Sequence, residues 1–127
     1  MKIEVAQNID EFGDPEEFSW DLYPLVDSTE TAHLDEFGLP KIGTLIQPGM
    51  VIVGKIAKTL SFDPTRQPSA LEIQGLSREE IDKIYGHMWS NKSYYANMHT
   101  LGFVESAYML IQEDGRLHAF VCLREAP

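Results

Sequence analysis

The chain has 127 residues, 43% of them hydrophobic, and it carries a formal net charge of −10. This hydrophobic share is ordinary for a globular protein, which excludes a disordered chain, and the length predicts one compact unit with a single core. No apolar run reaches the ~20 residues that span a bilayer, and the acidic N-terminus is unlike a signal peptide. The single cysteine, Cys122, excludes an internal disulfide, so we expect a cytoplasmic protein.

The negative charge is concentrated at the start of the chain. The first 36 residues hold eleven acids and one base, Lys2, whereas the remaining 91 hold nine of each. We therefore divide the chain into an acidic N-terminal arm, residues 1–33, and a β domain, residues 34–127. Such a charged arm repels phosphates and favours basic proteins. It is either a solvated arm, which we favour, or a docking surface, with the candidate residues Asp10, Glu11, Asp14, Glu16 and Glu17.

Short strands and turns are predicted over the first half of the chain. Lys2–Ala6 alternates between polar and apolar residues, which is typical of an edge strand. Two further strands are predicted at Lys41–Ile46 and Met50–Ala57, separated by a tight turn at Pro48-Gly49. The proline-containing stretch Thr59–Ser69 is predicted to be an exposed loop.

One helix and one hairpin are predicted in the second half. Ser77 and Glu80 form a capping box, the apolar residues that follow recur at helical spacing (Ile81, Ile84, Tyr85 and Met88), and Gly86 ends or bends the helix. An Asp-Gly turn within 113–116 separates the apolar runs 104–112 and 117–123, which is a strong hairpin pattern. Residues 91–100 give no clear pattern.

Gly49–Lys55 fits the start of a phosphate-binding loop, G-x-x-x-x-G-K. Ile56, however, stands where that loop needs a serine or threonine to hold Mg²⁺. The residues between the two glycines are apolar and mostly β-branched, which favours extended backbone over a compact turn. We therefore predict a strand here and no nucleotide cofactor.

The segment that contains this motif also resembles a known family. Leu34–Thr59, LDEFGLPKIGTLIQPGMVIVGKIAKT, resembles the flap region of the bacterial RNA polymerase β subunit, with its pattern L-D-E-x-G-(I/L)-x-x-I-G-x-x-V-x-x-G-D-I-L-V-G-K-V-T-P-K. Leu76–Glu80 is similar to the start of the family's next helix. Gly102–Gln112 and His118–Arg124 are similar to the two strands that flank the flap tip. A short turn replaces the tip, so the resemblance implies a small sandwich-barrel hybrid that lacks it.

The resemblance implies a non-catalytic, transcription-related binding module. RNA polymerase subunits or transcription factors are the implied protein partners, and nucleic acid contact is a weaker expectation. Three cations on or just after the motif strand, Lys55, Lys58 and Arg66, are candidate contacts for RNA or a polymerase subunit, and ordinary surface charge is the alternative. Met50 replaces the family's aspartate, and Ala57-Lys58-Thr59 replaces its T-P-K. Without the tip, sigma binding is not implied.

Two alternatives belong to other classes. The size and the acidic arm also suit an inhibitor or immunity-type protein that binds a basic protein partner. His118 and Cys122 lie four strand positions apart and could share a face, but a hydrolase would need an orienting group and an oxyanion site that the sequence does not reveal. A structural cysteine is therefore favoured. We predict no catalytic residue, no metal site and no membrane contact.

Overall fold

A computed structural model describes residues 1–60, 71–72 and 74–126. They form a mainly β fold in which a sheet curls into a half-barrel, so the mainly β class with one short α-helix is confirmed. Within those ranges, no helix has both the length and the apolar character that a membrane crossing requires.

The described elements follow one another as nine strands, a 3₁₀ helix and one α-helix. In chain order the strands are β1 (Lys2–Ala6), β2 (Glu17–Phe18), β3 (Leu45–Ile46), β4 (Val51–Val53), β5 (Lys55–Leu60), β6 (His87–Asn91), β7 (Tyr94–Tyr95), β8 (Gly102–Ile111) and β9 (Leu117–Arg124). The 3₁₀ helix is Ser28–Thr31 and α1 is Arg78–Tyr85. The strands form three antiparallel sheets with the orders β1-β9-β8-β3, β2-β5-β6 and β4-β7.

The predicted hairpin and the predicted edge strand are both confirmed. β8 and β9 pair across a tight turn in which Gly115 has a φ of +79°, a conformation that glycine adopts without strain. β1 lies at the edge of the same sheet, beside β9. Alternate β9 residues, Ala119, Val121 and Leu123, are buried in the core, as strand geometry requires.

Residues 1–33, expected as a separate acidic arm, pack into the body of the protein. Ile3 and Val5 belong to the same buried cluster as the inner face of β9. A second cluster joins Leu22 and Val26 to residues of the motif segment, Leu34 and Val51. Apolar burial therefore stabilises this segment despite its charge, because each buried aliphatic side chain contributes about 1.5–3 kcal/mol.

Two predicted strands differ from the observed ones. The strand expected at 41–46 is reduced to β3, because residues 42–43 form a turn with Gly43 at a φ of +88°. The strand expected at 50–57 is divided into β4 and β5 at Gly54, whose backbone bonds to Gly38 and Ser19 instead of continuing a ladder. The glycine-lysine stretch is nevertheless extended backbone. The predicted strand is therefore confirmed, and the segment does not form a phosphate-binding loop. The loop expected at 59–69 begins inside β5, and its part from 61 on lies outside the described residues.

The predicted N-cap and end of α1 are confirmed, and the apolar face of the helix is not buried. Ser77 is the N-cap and its Oγ accepts a hydrogen bond from the Glu80 amide, and Gly86 ends the helix with a φ of +74°. No residue of α1 is buried, and Ile84 is 61% exposed. Met88, expected on the helix face, lies in β6 because Gly86 ends the helix before it.

Candidate docking groove

Lys55, a candidate surface contact, lies inside the fold. Its side chain is 6% exposed, and its Nζ lies 2.7 Å from Oε1 of Glu16, whose side chain is 7% exposed. The same ammonium donates to the Ala6 carbonyl at 2.8 Å, and the Asn8 amide donates to Glu16 Oε1 at 2.9 Å. The two charges bind each other inside the protein, and the ion pair links the N-terminal segment to β5.

The second candidate cation, Lys58, bonds to another candidate acid. Its Nζ donates to a carboxylate oxygen of Asp14 and lies 5.7 Å from the centre of the Phe12 ring. The hydrogen bond that the Lys58 ammonium donates to Asp14 raises the pKa of Lys58 above its ordinary value. Arg66, the third candidate cation, lies outside the described residues.

Most of the remaining acidic candidates accept hydrogen bonds within the protein. Glu11 accepts hydrogen bonds from the Thr59 hydroxyl and the Leu60 amide, both at 3.0 Å. Asp10 accepts from the amides of residues 12 and 14 and closes a turn. Glu17 is exposed in β2, opposite Ile56 of β5. Several of the acidic and basic candidates are therefore each other's partners, and residues 8–18 fold onto β5 instead of extending as a free arm.

The chain that follows this segment forms one wall of an apolar groove. The groove has a volume of about 520 Å³ and is lined by Ser19, Asp21, Leu22, Tyr23, Pro24, Leu25, Ile56, Met88 and Trp89. Leu22 is buried at 1% exposure and anchors the wall in the second core cluster. Ser19 binds the carbonyl of Gly54 through its amide at 3.0 Å, which ties the wall to the motif strand.

The rim of the groove exposes large apolar side chains. Tyr23 is 73% exposed, Leu25 43%, Met88 44% and Trp89 38%. Met88 and Trp89 are held opposite Thr59 and Lys58 by the β5–β6 register. Clustered exposed apolar side chains on a charged protein are typical of a site that another molecule covers.

The sequence alone did not reveal this groove. The helical spacing predicts Met88 on the helix, whereas the structure places it in β6. Leu22, in the segment expected as a solvated arm, is buried beside the groove. The missing information was the β5–β6 pairing, which brings residues 70 positions apart to one groove and leaves no local pattern.

A second polar cluster lies on the outer face of the first sheet. Both ring nitrogens of His118 face carboxylates: Nδ1 lies 3.0 Å from Oε2 of Glu4, and Nε2 lies 2.9 Å from Oδ2 of Asp114. Because carboxylates only accept, both nitrogens donate when the imidazole is protonated. The hydrogen bond that His118 donates to Asp114, and then the one it donates to Glu4, raise the pKa of His118, whereas the hydrogen bonds from the Arg116 amide and from His118 lower the pKa of Asp114.

We expect this cluster to give the stability a pH dependence. The contribution of His118 is present below pH 6.5, its ordinary pKa, and is lost as the pH rises through the raised folded-state value. The contribution of Asp114 is present above its ordinary pKa of 3.8 and is lost as the pH falls through the lowered one. As the pH rises from 5 to 9, the free energy of unfolding of the natural protein should decrease. The free energy of unfolding of His118→Gln should change less over the same range. A His118 pKa at or below 6.5 in an NMR titration would contradict this.

The same geometry bears on the hydrolase alternative. His118 and Phe120 lie on the same face of β9, with ring centres 6.4 Å apart. Both nitrogens of His118 bind carboxylates, so it is not placed to take a proton from Cys122. Cys122 is partly buried instead of fully buried, and it lies opposite Lys2 of β1.

No family model matches this chain. Among the described residues, the groove is the surface that best suits the binding of another molecule.

Proposed function

We propose that this protein is a non-catalytic, transcription-related binding module that resembles the flap base of the RNA polymerase β subunit. The observation that supports it most is the order of elements in the resembling region. The motif segment forms β3, β4 and β5, then α1 follows, and β8 and β9 come last. This is the order of strands and helix that the resemblance implies, with the turn 113–116 in place of the flap tip.

The motif glycine and lysine also have structural roles that suit a scaffold. A Cβ on Gly54 would lie 2.0 Å from the Ser19 carbonyl oxygen, so only glycine allows the approach of the two segments. Lys55 bonds within the protein to Glu16. Both residues position the groove wall, which is consistent with a binding module in which the G-K pair supports a surface and performs no chemistry.

The proposal is tested with RNA polymerase core enzyme purified from the organism that encodes this chain. Fluorescently labelled protein should bind the core enzyme with a Kd that fluorescence anisotropy can measure. Affinity purification from a lysate of the same organism, with this protein as the bait, should recover polymerase subunits or transcription factors. A failure of both measurements would refute the transcription role.

An acidic inhibitor of a basic protein is the second candidate. Its supporting observation is that several arm acids remain exposed, among them Glu17, Asp21, Asp27 and Glu30. Such a complex would associate quickly and lose affinity steeply with salt, because exposed charges are screened within about 8 Å at physiological ionic strength. Binding to the polymerase that is indifferent to salt would favour the first candidate.

A further inference from the structure

The apolar groove has the size and shape of a ligand site. Its volume of about 520 Å³ falls within the range of about 300–1,000 Å³ that ligand clefts have. Leu22 and Ile56 lie at its base, and Leu25 and Trp89 flank it from two different parts of the chain. A bulky apolar side chain entering it would be surrounded by side chains that are now partly exposed, and that burial is the main source of binding energy at such sites.

Charge selects among the possible occupants. Of the nine lining residues, the only one with a full charge at neutral pH is Asp21, which is exposed at the rim. The chain up to residue 36 carries ten net negative charges, and it also forms the wall 19–25. A second copy of this chain would bring the same charge to the groove and be repelled, as would nucleic acid. A basic segment would be attracted.

We propose that this groove binds a peptide segment of a partner protein, one in which bulky apolar residues are flanked by lysine or arginine. The apolar residues enter between Leu25 and Trp89, and a flanking cation lies against Asp21. This inference deepens the proposed binding function by naming the chemistry of the partner segment. It does not depend on whether that partner belongs to the transcription apparatus.

Selection from a phage-displayed random dodecapeptide library, with this protein as the immobilised target, tests the proposal. The enriched peptides should combine aromatic or aliphatic residues with adjacent lysine or arginine. Synthetic copies should bind in solution, and their affinity should fall by about tenfold for Leu25→Ala and for Trp89→Ala, as expected for residues at the centre of an interface. Asp21→Asn should weaken binding and reduce its dependence on salt.

Matched variants separate the groove from general effects. Leu110→Ala removes an exposed leucine on β8 (51% exposed), and Glu113→Gln neutralises an exposed acid in the β8–β9 turn; neither should change the affinity. Trp89 also contacts His87, so the unfolding of each variant is measured, and Leu25→Ala suffices if Trp89→Ala is unstable. Enrichment of acidic peptides, no enrichment, or equal affinity of Leu25→Ala and the natural protein would overturn the proposal.

The two proposals can fail separately. Groove-dependent peptides together with no polymerase binding would refute the transcription role and leave the groove assignment intact. Polymerase binding without any groove-dependent peptide in the selection would overturn the groove assignment and leave the transcription role intact.

Discussion

Glu16→Ala is expected to lower the free energy of unfolding by about 3–5 kcal/mol, the loss that follows when one partner of a buried ion pair is removed. The Lys55 ammonium would stay buried and keep its hydrogen bond to the Ala6 carbonyl, but its charge would be uncompensated, which is costly inside a protein. The loss would be measured by urea or thermal unfolding. High salt should change it little, because the pair is shielded from solvent.

Glu17→Ala is the matched control, since Glu17 is the next residue, begins β2 and is exposed. It should change the stability by no more than about 0.5 kcal/mol. Replacing both partners, Glu16→Leu with Lys55→Met, should recover much of the loss because no charge is then left unpaired. If Glu16→Ala and Glu17→Ala lowered the free energy of unfolding equally, the Lys55–Glu16 pair would not be what fixes the N-terminal segment to β5.

Gly54→Ala is expected to cost about 3 kcal/mol or more, at or beyond the top of the range of about 1–3 kcal/mol for over-packing. The added Cβ would lie 2.0 Å from the Ser19 carbonyl oxygen, and this neighbour is backbone that cannot rotate away. The segment 19–25 would have to move off β5. We therefore expect the variant to lose stability and to show altered chemical shifts at the groove residues.

Gly49→Ala is the control for Gly54→Ala. Gly49 has a φ of +89° and open space around the Cβ position, so alanine there is strained but meets no neighbour. Its cost should be about 1–2 kcal/mol, the penalty for a left-handed residue, with no change at the groove. A smaller loss for Gly54→Ala than for Gly49→Ala would contradict the close approach.

Local chemistry made much of the fold predictable. The alternation in β1, the N-cap at Ser77 and the Asp-Gly turn of the last hairpin each depend on neighbours in sequence, and the structure confirms all three. The break at Gly54 depends on a distant partner, Ser19, so no local pattern predicts it. The apolar spacing of α1 predicts one apolar face, and the structure leaves that face unburied, because spacing reports amphipathicity and not the presence of a surface to pack on.

The candidate site was less predictable for a similar reason. Sequence reasoning selected charged residues, and charge type alone does not tell whether two charges will meet. Lys55 and Glu16 were chosen as separate contact candidates, yet they are 39 positions apart and bond to each other. The groove requires the wall 19–25 to meet Trp89 of β6, and that contact is set by strand pairing.

Both proposals depend on residues 8–26 being an integral part of the fold, and native-state hydrogen exchange tests this most directly. The amides of Glu16 and Ser19 donate to the carbonyls of Asn8 and Gly54. We expect their protection to approach that of the Val121 amide in the core strand β9. Exchange of both amides at the rate of an unstructured peptide, with β9 still protected, would contradict the account.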